Sequence, residues 1–254
     1  MPKEEPMIRV QDVKFRYDPE QPTYAVDGVS LNVRRGEFVA VLGANGCGKS
    51  TQVELLRNAF PEWKCVTFPN YESESGAIIT QYLRGAFAES NASISAYSAT
   101  SFYAIDRYIS FKQDWEAAYR AGTTILSARY TTSNAIYQMA KLPQTEWADY
   151  SNWLMDYEYN KLGIPKPDLV LYLDMPLDVS QQLLMQRYAG NAAKKDIHES
   201  NMPYLQACRE AAQYLYEQDH GKTWQVLPCC SGTALRSVTE MHQAILQEIK
   251  KRFS

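Results

Sequence analysis

The sequence predicts an α/β fold built on a parallel, doubly wound sheet, with an antiparallel strand pair in front of it. Three observations carry that expectation. Glu37–Leu42, Thr123–Ser127 and Asp168–Asp174 are short apolar runs of the kind that suits strands covered on both faces. Segments with helical spacing lie between and after them. Two earlier stretches, Ile8–Tyr17 and Tyr24–Val33, alternate apolar and polar residues around the proline-bearing turn Asp18–Thr23, as half-buried partner strands do.

Taken in order, a glycine-rich turn follows the first apolar run and leads into a helix from about Ser50 to Phe60. A short strand is expected at Lys64–Phe68 and a loop at Pro69–Ser75. Helical spacing then runs over Ser75–Phe87 and Ser95–Tyr119. The polar run Arg129–Asn134 follows the second apolar strand. A helix at Trp147–Leu162 is stopped by Gly163 and the Pro165-Lys166-Pro167 segment. Helices at Leu177–Tyr188 and Tyr204–Gln218 flank the polar segment Ala189–Pro203. A short strand at Trp224–Pro228 and a helix at Ser237–Phe253 complete the pattern.

The 254 residues are enough for one large α/β domain, or for one domain with a small appendage. A hydrophobic share of 45% and a charged share of 22% are those of a globular chain. The net charge of −3 excludes bulk nucleic-acid binding, so basic residues that matter act locally. The five cysteines have neither metal-ligand spacing nor an even disulfide count, and Cys229 and Cys230 read as small apolar residues at a strand end. No apolar run approaches the ~18 residues of a membrane span, and no secretory leader is visible. The expectation is a reduced, cytoplasmic protein with no membrane partner.

Gly43-Ala44-Asn45-Gly46-Cys47-Gly48-Lys49-Ser50 fits the phosphate-loop pattern G-x-x-x-x-G-K-[ST], after a strand and before a helix. Glycines let successive backbone N–H groups turn inward as an anion cradle, reinforced by the helix N-terminus. Lys49 then reaches β- and γ-phosphate oxygens, and the Ser50 hydroxyl is placed for Mg²⁺. A chance glycine turn capping a helix is the bland alternative, and the strand–loop–helix context tells against it.

Two resemblances meet at this loop. Ile8 to Thr51, with Tyr17 and the run YAVDGVSLNVRRGEFVAVLGANGCGKST, resembles the beginning of an ABC-type ATPase. No LSGGQ-like signature, Asp-Glu carboxylate pair or switch histidine follows it. From about Gln52 onward the chain is similar to thymidylate kinases, on five ordered segments. These are Phe68-Pro69-Asn-Tyr-Glu-Ser-Glu, Phe102-Tyr103-Ala-Ile-Asp106-Arg107, Arg129-Tyr130-Thr-Thr-Ser133-Asn134-Ala-Ile-Tyr137-Gln138, Leu173-Asp174-Met-Pro176, and Lys194-Lys195-Asp-Ile-His-Glu199 before Tyr204-Leu205. Three departures stand out: Ala128 precedes Arg129 where the family usually has an acid, Asn45 sits in the phosphate loop where the family carries an acid, and the interval from Lys49 to Phe68 is a few residues short for the helix and strand the family places there.

The resemblance implies a three-layer P-loop nucleoside monophosphate kinase fold over residues 35–254, preceded by an ABC-like β-hairpin over 1–34, with a lid at about 187–203. It implies phosphorylation of dTMP by ATP with Mg²⁺, and a homodimer. ATP would lie on Gly43–Ser50 and Thr51, with Ser50 as metal ligand and Asp174 a second candidate. Arg129 would hold the acceptor phosphate, because transfer between two polyanions needs cations at both. Tyr103 would stack on thymine and Arg107, four residues along the same helix face, would bond its edge. Ser133, Asn134 and Tyr137 would complete that pocket, with Phe68 and Pro69 on the sugar side. Arg187, Lys194 and Lys195 would be the lid cations, Arg187 either stacking on adenine or sharing the transition-state charge. Core aromatics for Tyr103 and a solvated surface for the lid cluster are the plain alternatives. The competing class is an ABC-type or catalytically impaired ATP-binding module.

Overall fold

In the computed structural model, residues 8–15, 26–33, 36–87, 94–187, 201–232 and 234–253 are described. The first two strands, β1 (Ile8–Phe15) and β2 (Val26–Val33), pair antiparallel as a separate ribbon. The central sheet is parallel and has five strands: β3 (Phe38–Gly43), β4 (Lys64–Thr67), β5 (Ile125–Ala128), β6 (Leu169–Asp174) and β7 (Trp224–Pro228). Their order is β4-β5-β3-β6-β7, so the chain runs to one edge, returns to the middle and then builds the other side.

Alternate residues of β3 serve two cores. Phe38, Ala40 and Leu42 face one packed cluster, and Val39 and Val41 face the other. All five are fully buried, which is why the run carries no polar alternation. On the first face lie α3 (Ala96–Ser110), α5 (Thr131–Met139), α6 (Trp147–Met155) and α8 (Met202–Asp219), which contribute Ala96, Ala135, Tyr150 and Ala211. On the second lie α1 (Lys49–Ala59) and α9 (Val238–Phe253), with Leu56, Ile245 and Ile249 against Val41 and Leu171. The remaining helices are α2 (Glu74–Leu83), α4 (Glu116–Arg120) and α7 (Leu177–Arg187). The ribbon strand β2 lies beside α9.

The expected elements are present, with three differences. Two helices expected to be regular contain π-helical turns, Phe111–Trp115 after α3 and Asp156–Lys161 after α6. The second of these carries the buried Glu158. Helix α5 stands where the sequence marks only a polar run, because Thr131 and Thr132 are poor helix formers and Tyr130 makes no side-chain cap. A small hairpin, β8 (Cys230–Ser231) with β9 (Ala234–Leu235), follows β7. Cys229 is buried beside it, and all five cysteines are unpaired.

Candidate active site

The site lies at the carboxyl ends of β3, β5 and β6, where an open α/β sheet leaves a crevice between diverging connections. Gly43, the last residue of β3, has φ +145°, and a Cβ there would lie 2.5 Å from the Cys47 sulfur and 2.7 Å from the Leu173 carbonyl. The loop therefore turns only with glycine at this point. Gly48 caps α1 in the left-handed conformation and no side chain caps that helix, so its first N–H groups face the loop. Ser50 and Thr51 follow on the exposed first turn.

Lys49 reaches back over the loop, donating to the carbonyls of Gly43 at 2.8 Å and Ala44 at 2.7 Å, with its nitrogen 3.8 Å from the Cys47 sulfur. Burial pushes its ammonium down to about 8, and the nearby Arg129 pushes the same way against the pull of Cys47. Arg129 sits one residue past β5, at a left-handed φ of 69° that side chains rarely adopt. Its backbone N–H donates to the Val41 carbonyl at 3.2 Å, which fixes it beside the phosphate loop. Its guanidinium donates to Asn45 Oδ1 at 2.6 Å and lies over the Tyr137 ring at 5.5 Å. One loop residue and one helix residue thus aim the same cation.

Beyond Arg129 a cavity opens between α2, α3, α5 and the start of α8. It is lined by Asn45, Phe68, Pro69, Tyr103, Arg107, Arg129, Ser133, Asn134 and Tyr137, all expected from the sequence. It is also lined by Tyr71, Tyr82, Leu83, Tyr130, Gln138, Lys141, Tyr204 and Leu205, which the sequence does not mark as site residues. Tyr103 meets Tyr82 edge to face, with ring centroids 6.3 Å apart. Arg107 is almost wholly buried, and two of its nitrogens form a fork to Glu158, Nε at 2.6 Å and Nη2 at 2.5 Å. Thr131 donates to the same carboxylate at 2.8 Å and Asn134 approaches it at 3.5 Å. Arg107 therefore reaches the cavity as a clamped group, held from the π-helical turn. Its neighbour Asp106 is buried too, accepting from the Asn70 N–H at 3.0 Å and the Ser75 hydroxyl at 2.7 Å. That carboxylate ties the loop after Phe68-Pro69 to α3. Lys141 donates to Tyr82 Oη at 2.7 Å, and burial pushes its ammonium down to about 8.

Asp174 ends β6, and both its oxygens accept from Arg209 at 3.1 Å. Among the described residues no three His, Cys, Asp or Glu side chains gather as a metal cage. A divalent ion held mainly by phosphate oxygens, with Ser50 as its protein ligand, fits this donor set. Lys194 and Lys195 lie outside the described residues, and of Arg187 only the backbone, ending α7, is described. Of the residues that sequence reasoning misses, Gln138 has a signal, since it follows Asn134 by four positions on the same helix face. Glu158 has none, because a buried carboxylate is recognisable only with its partner.

A loop built for the phosphates of a nucleotide, faced by a half-buried arginine at the mouth of a second cavity, defines a nucleoside monophosphate kinase. Comparison with known proteins narrows the class. The thymidylate kinase family profile matches residues 41–245. A thymidylate kinase of Mycobacterium tuberculosis is 28% identical over 200 residues, covering 75% of this chain and 90% of that protein. The structure of thymidylate kinase from Candida albicans superposes with a TM-score of 0.61 at 21% identity, covering 86% of this chain and 94% of that one. The chain belongs to the thymidylate kinase family. A shorter match joins it to another class: an energy-coupling factor transporter ATP-binding protein of Mycoplasmopsis synoviae is 46% identical over 50 residues, 20% of this chain and 19% of that protein. Among the described residues no helix is long and apolar enough to cross a membrane.

Two outcomes follow from this geometry. Glu158→Ala leaves the Arg107 charge buried without its partner, and is expected to lower unfolding free energy by about 3–5 kcal/mol in chemical denaturation. A loss below about 1 kcal/mol would show that water replaces the carboxylate. Anionic phosphates favour the charged form of Lys49, which the free protein loses as pH rises through about 8. ATP affinity is therefore expected to hold steady below that pH and to fall toward ten-fold per unit above it. A Lys49→Arg variant is expected to lack this fall, and titration with a fluorescent ATP analogue reads both.

Proposed function

We propose that the chain transfers the γ-phosphoryl group of ATP to dTMP, giving ADP and dTDP, at the site between the phosphate loop and Arg129. The observation that best supports this reading is the placement of Arg129, tethered to the phosphate loop through Asn45 and opening onto the cavity. A cation there holds an acceptor phosphate in line with the γ-phosphate. The triphosphate lies on Gly43–Thr51 under the N-terminus of α1, with Lys49 on its β- and γ-oxygens. The base stacks on Tyr103 with its edge toward Arg107, Ser133, Asn134 and Tyr137 complete the pocket, and Phe68 and Pro69 lie on the sugar side.

An oxygen of the acceptor monophosphate forms the new bond to the γ-phosphorus as the bond to the β–γ bridging oxygen breaks. ADP leaves, and no covalent enzyme intermediate forms. Mg²⁺, with Ser50 as its protein ligand, would neutralise charge on the donor phosphates when bound. Asp174, engaged by Arg209, serves less directly. By family resemblance segment 187–203, of which residues 188–200 lie outside the described residues, would be the lid that excludes water, with Arg187, Lys194 and Lys195 as its cations. Residues 35–254 form the kinase unit and residues 1–34 an appended hairpin. A homodimer follows from the family resemblance.

A coupled assay of ADP release, run on a panel of nucleoside monophosphates and on ATP alone, tests the reaction. Release that ignores the monophosphate would favour the second reading, an ABC-type ATP-binding module, which the short transporter match supports. Lys49→Ala is expected to lower turnover by several orders of magnitude with the fold retained. Arg129→Ala is expected to raise KM for dTMP and lower kcat, whereas Tyr103→Ala erodes discrimination among bases. Identical responses to every monophosphate would undo that division of roles. Deletion of residues 1–34 is expected to leave ATP affinity within a few-fold, because the hairpin strand β2 lies beside α9. A large loss, matched by Tyr17→Ala, would mean that the hairpin carries adenine in the ABC manner.

A further inference from the structure

Helix α1 carries Lys49 and Ser50, yet Gly48 caps it with no side-chain hydrogen bond and its first turn holds no acidic residue. Its anchor comes from α9. The Gln52 N–H closes the first turn onto the Gly48 carbonyl at 3.0 Å, and the Gln52 side chain turns away from solvent, 3% exposed. Its Nε2 donates to the Val238 carbonyl at 3.0 Å, and its Oε1 lies 3.1 Å from Nδ1 of the buried His242. Both partners belong to α9, one turn apart. A carbonyl only accepts, so the amide presents its nitrogen to Val238 and its oxygen to His242. That oxygen also only accepts, so His242 Nδ1 carries a hydrogen and donates it. Burial keeps the imidazole neutral by pushing its pKa down to about 4.

This polar pair sits between helices that also meet through apolar side chains, Leu56, Met241 and Ile245 among them. Apolar residues at 52 and 242 would fill the same space, but apolar contact has no direction. Two hydrogen bonds from one amide do have direction, and they fix the rotation of α1 about its own axis. Lys49, Ser50 and Thr51 make up the turn that Gln52 closes, so its rotation decides where the ammonium and the hydroxyl stand. The other side of the loop is held separately, by Ser180 of α7 donating to the Asn45 carbonyl at 3.0 Å. Gln52 is also where the resemblance to ABC-type ATPases gives way to the kinase-like remainder, which includes α9.

We propose that Gln52 and His242 are positioning residues for the ATP site: through them α9 sets the direction in which Lys49 and Ser50 meet a triphosphate. The proposal rests on the reading that Gly43–Thr51 holds ATP, and deepens it by naming what aims the loop.

The test combines titration with a fluorescent ATP analogue, ADP-release kinetics and chemical denaturation. Gln52→Leu and His242→Leu are each expected to weaken ATP binding and raise KM for ATP by about ten-fold, since small misplacements of reacting groups are costly. KM for dTMP is expected to stay within about two-fold, because the acceptor side is aimed by Arg129. His242→Asn presents an N–H where Nδ1 stood and is expected to keep ATP affinity within about two-fold, whereas His242→Gln presents it elsewhere and loses that affinity. The double Leu variant leaves neither polar group orphaned, so its denaturation midpoint recovers relative to the single variants while its ATP binding stays weak. A pair that served stability alone would show affinity recovering with the midpoint, and that result overturns the proposal. Unchanged ATP binding in both single variants overturns it as well. Where a Leu variant fails to fold, the comparison of His242→Asn with His242→Gln decides, and equal affinities overturn the proposal. Failure of the unaltered protein to bind the analogue overturns the phosphate-loop reading together with the proposal.

Discussion

Lys49 and Arg129 repel each other, and the architecture holds them together regardless. Each comes from a different strand end, Lys49 six residues past Gly43 of β3 and Arg129 just after β5. The strands are neighbours in the sheet, with Val41 opposite Ala128. This parallel pairing is what places the second cation beside the first. Their repulsion is visible in the lowered affinity of Lys49 for its proton, where burial acts first and Arg129 adds to it. A site in that condition favours polyanions. Binding phosphate relieves both the desolvation and the repulsion, so the positive charge is preorganised before any substrate arrives. The left-handed backbone at Arg129 belongs to the same arrangement, a local strain that the surrounding packing over-determines.

The cavity wall around Tyr103 and Arg107 depends on two buried carboxylates, used differently. Asp106 fastens a loop: by accepting from Asn70 and Ser75 it holds the segment after Phe68-Pro69 against α3. A side chain at Gly76 would overlap the Asn70 carbonyl, so loop and helix approach as closely as the chain allows. Glu158 fastens a side chain, fixing the Arg107 guanidinium from the opposite wall. The fork uses one N–H each of Nε and Nη2, which leaves the second N–H of Nη2 and both of Nη1 as the donors not spent on Glu158. A buried pair of this kind is weak evidence for stability, since hydrophobic replacements often serve as well. Its use here is direction. The guanidinium is presented at one angle, with little conformational entropy left to lose when a ligand binds.

The central strands and the phosphate loop are legible in the amino-acid sequence. The apolar strands declare themselves because both faces of a central parallel strand are covered, and Val39, Ala40 and Val41 have no exposed side to mark with polar residues. The phosphate loop declares itself because its chemistry runs through the backbone and restricts the residues that fit. Features created by partnership across the fold leave no such mark. Arg107 reads as a base contact, but the carboxylate that orients it comes from a π-helical turn 51 residues later. Lys141, in the turn after α5, and Tyr82 of α2 meet across the cavity, and neither is distinctive alone. Helix α5 is obscured by its own composition, since tertiary packing of Ala135, Ile136 and Met139 outweighs the poor helix propensity of its first turn.

The mixed ancestry suggested by the phosphate loop is less disruptive than the sequence alone implies. What a phosphate loop contributes is a ring of backbone N–H groups, one lysine and one hydroxyl, and these do not depend on the reaction that follows. The loop residue that meets Arg129 is Asn45. A carboxylate at that position would form an ion pair with Arg129 and offset its charge. An amide oxygen accepts the same hydrogen bond, at 2.6 Å, without cancelling the charge. Orientation and charge are thereby separated: Asn45 and the Tyr137 ring direct the guanidinium, and its full positive charge stays available to an anion. The absence of an acid at Ala128 acts in the same direction, because it leaves Arg129 without a carboxylate immediately before it in the chain. Asn45 and Ala128 thus both leave the charge of Arg129 uncancelled at these two positions.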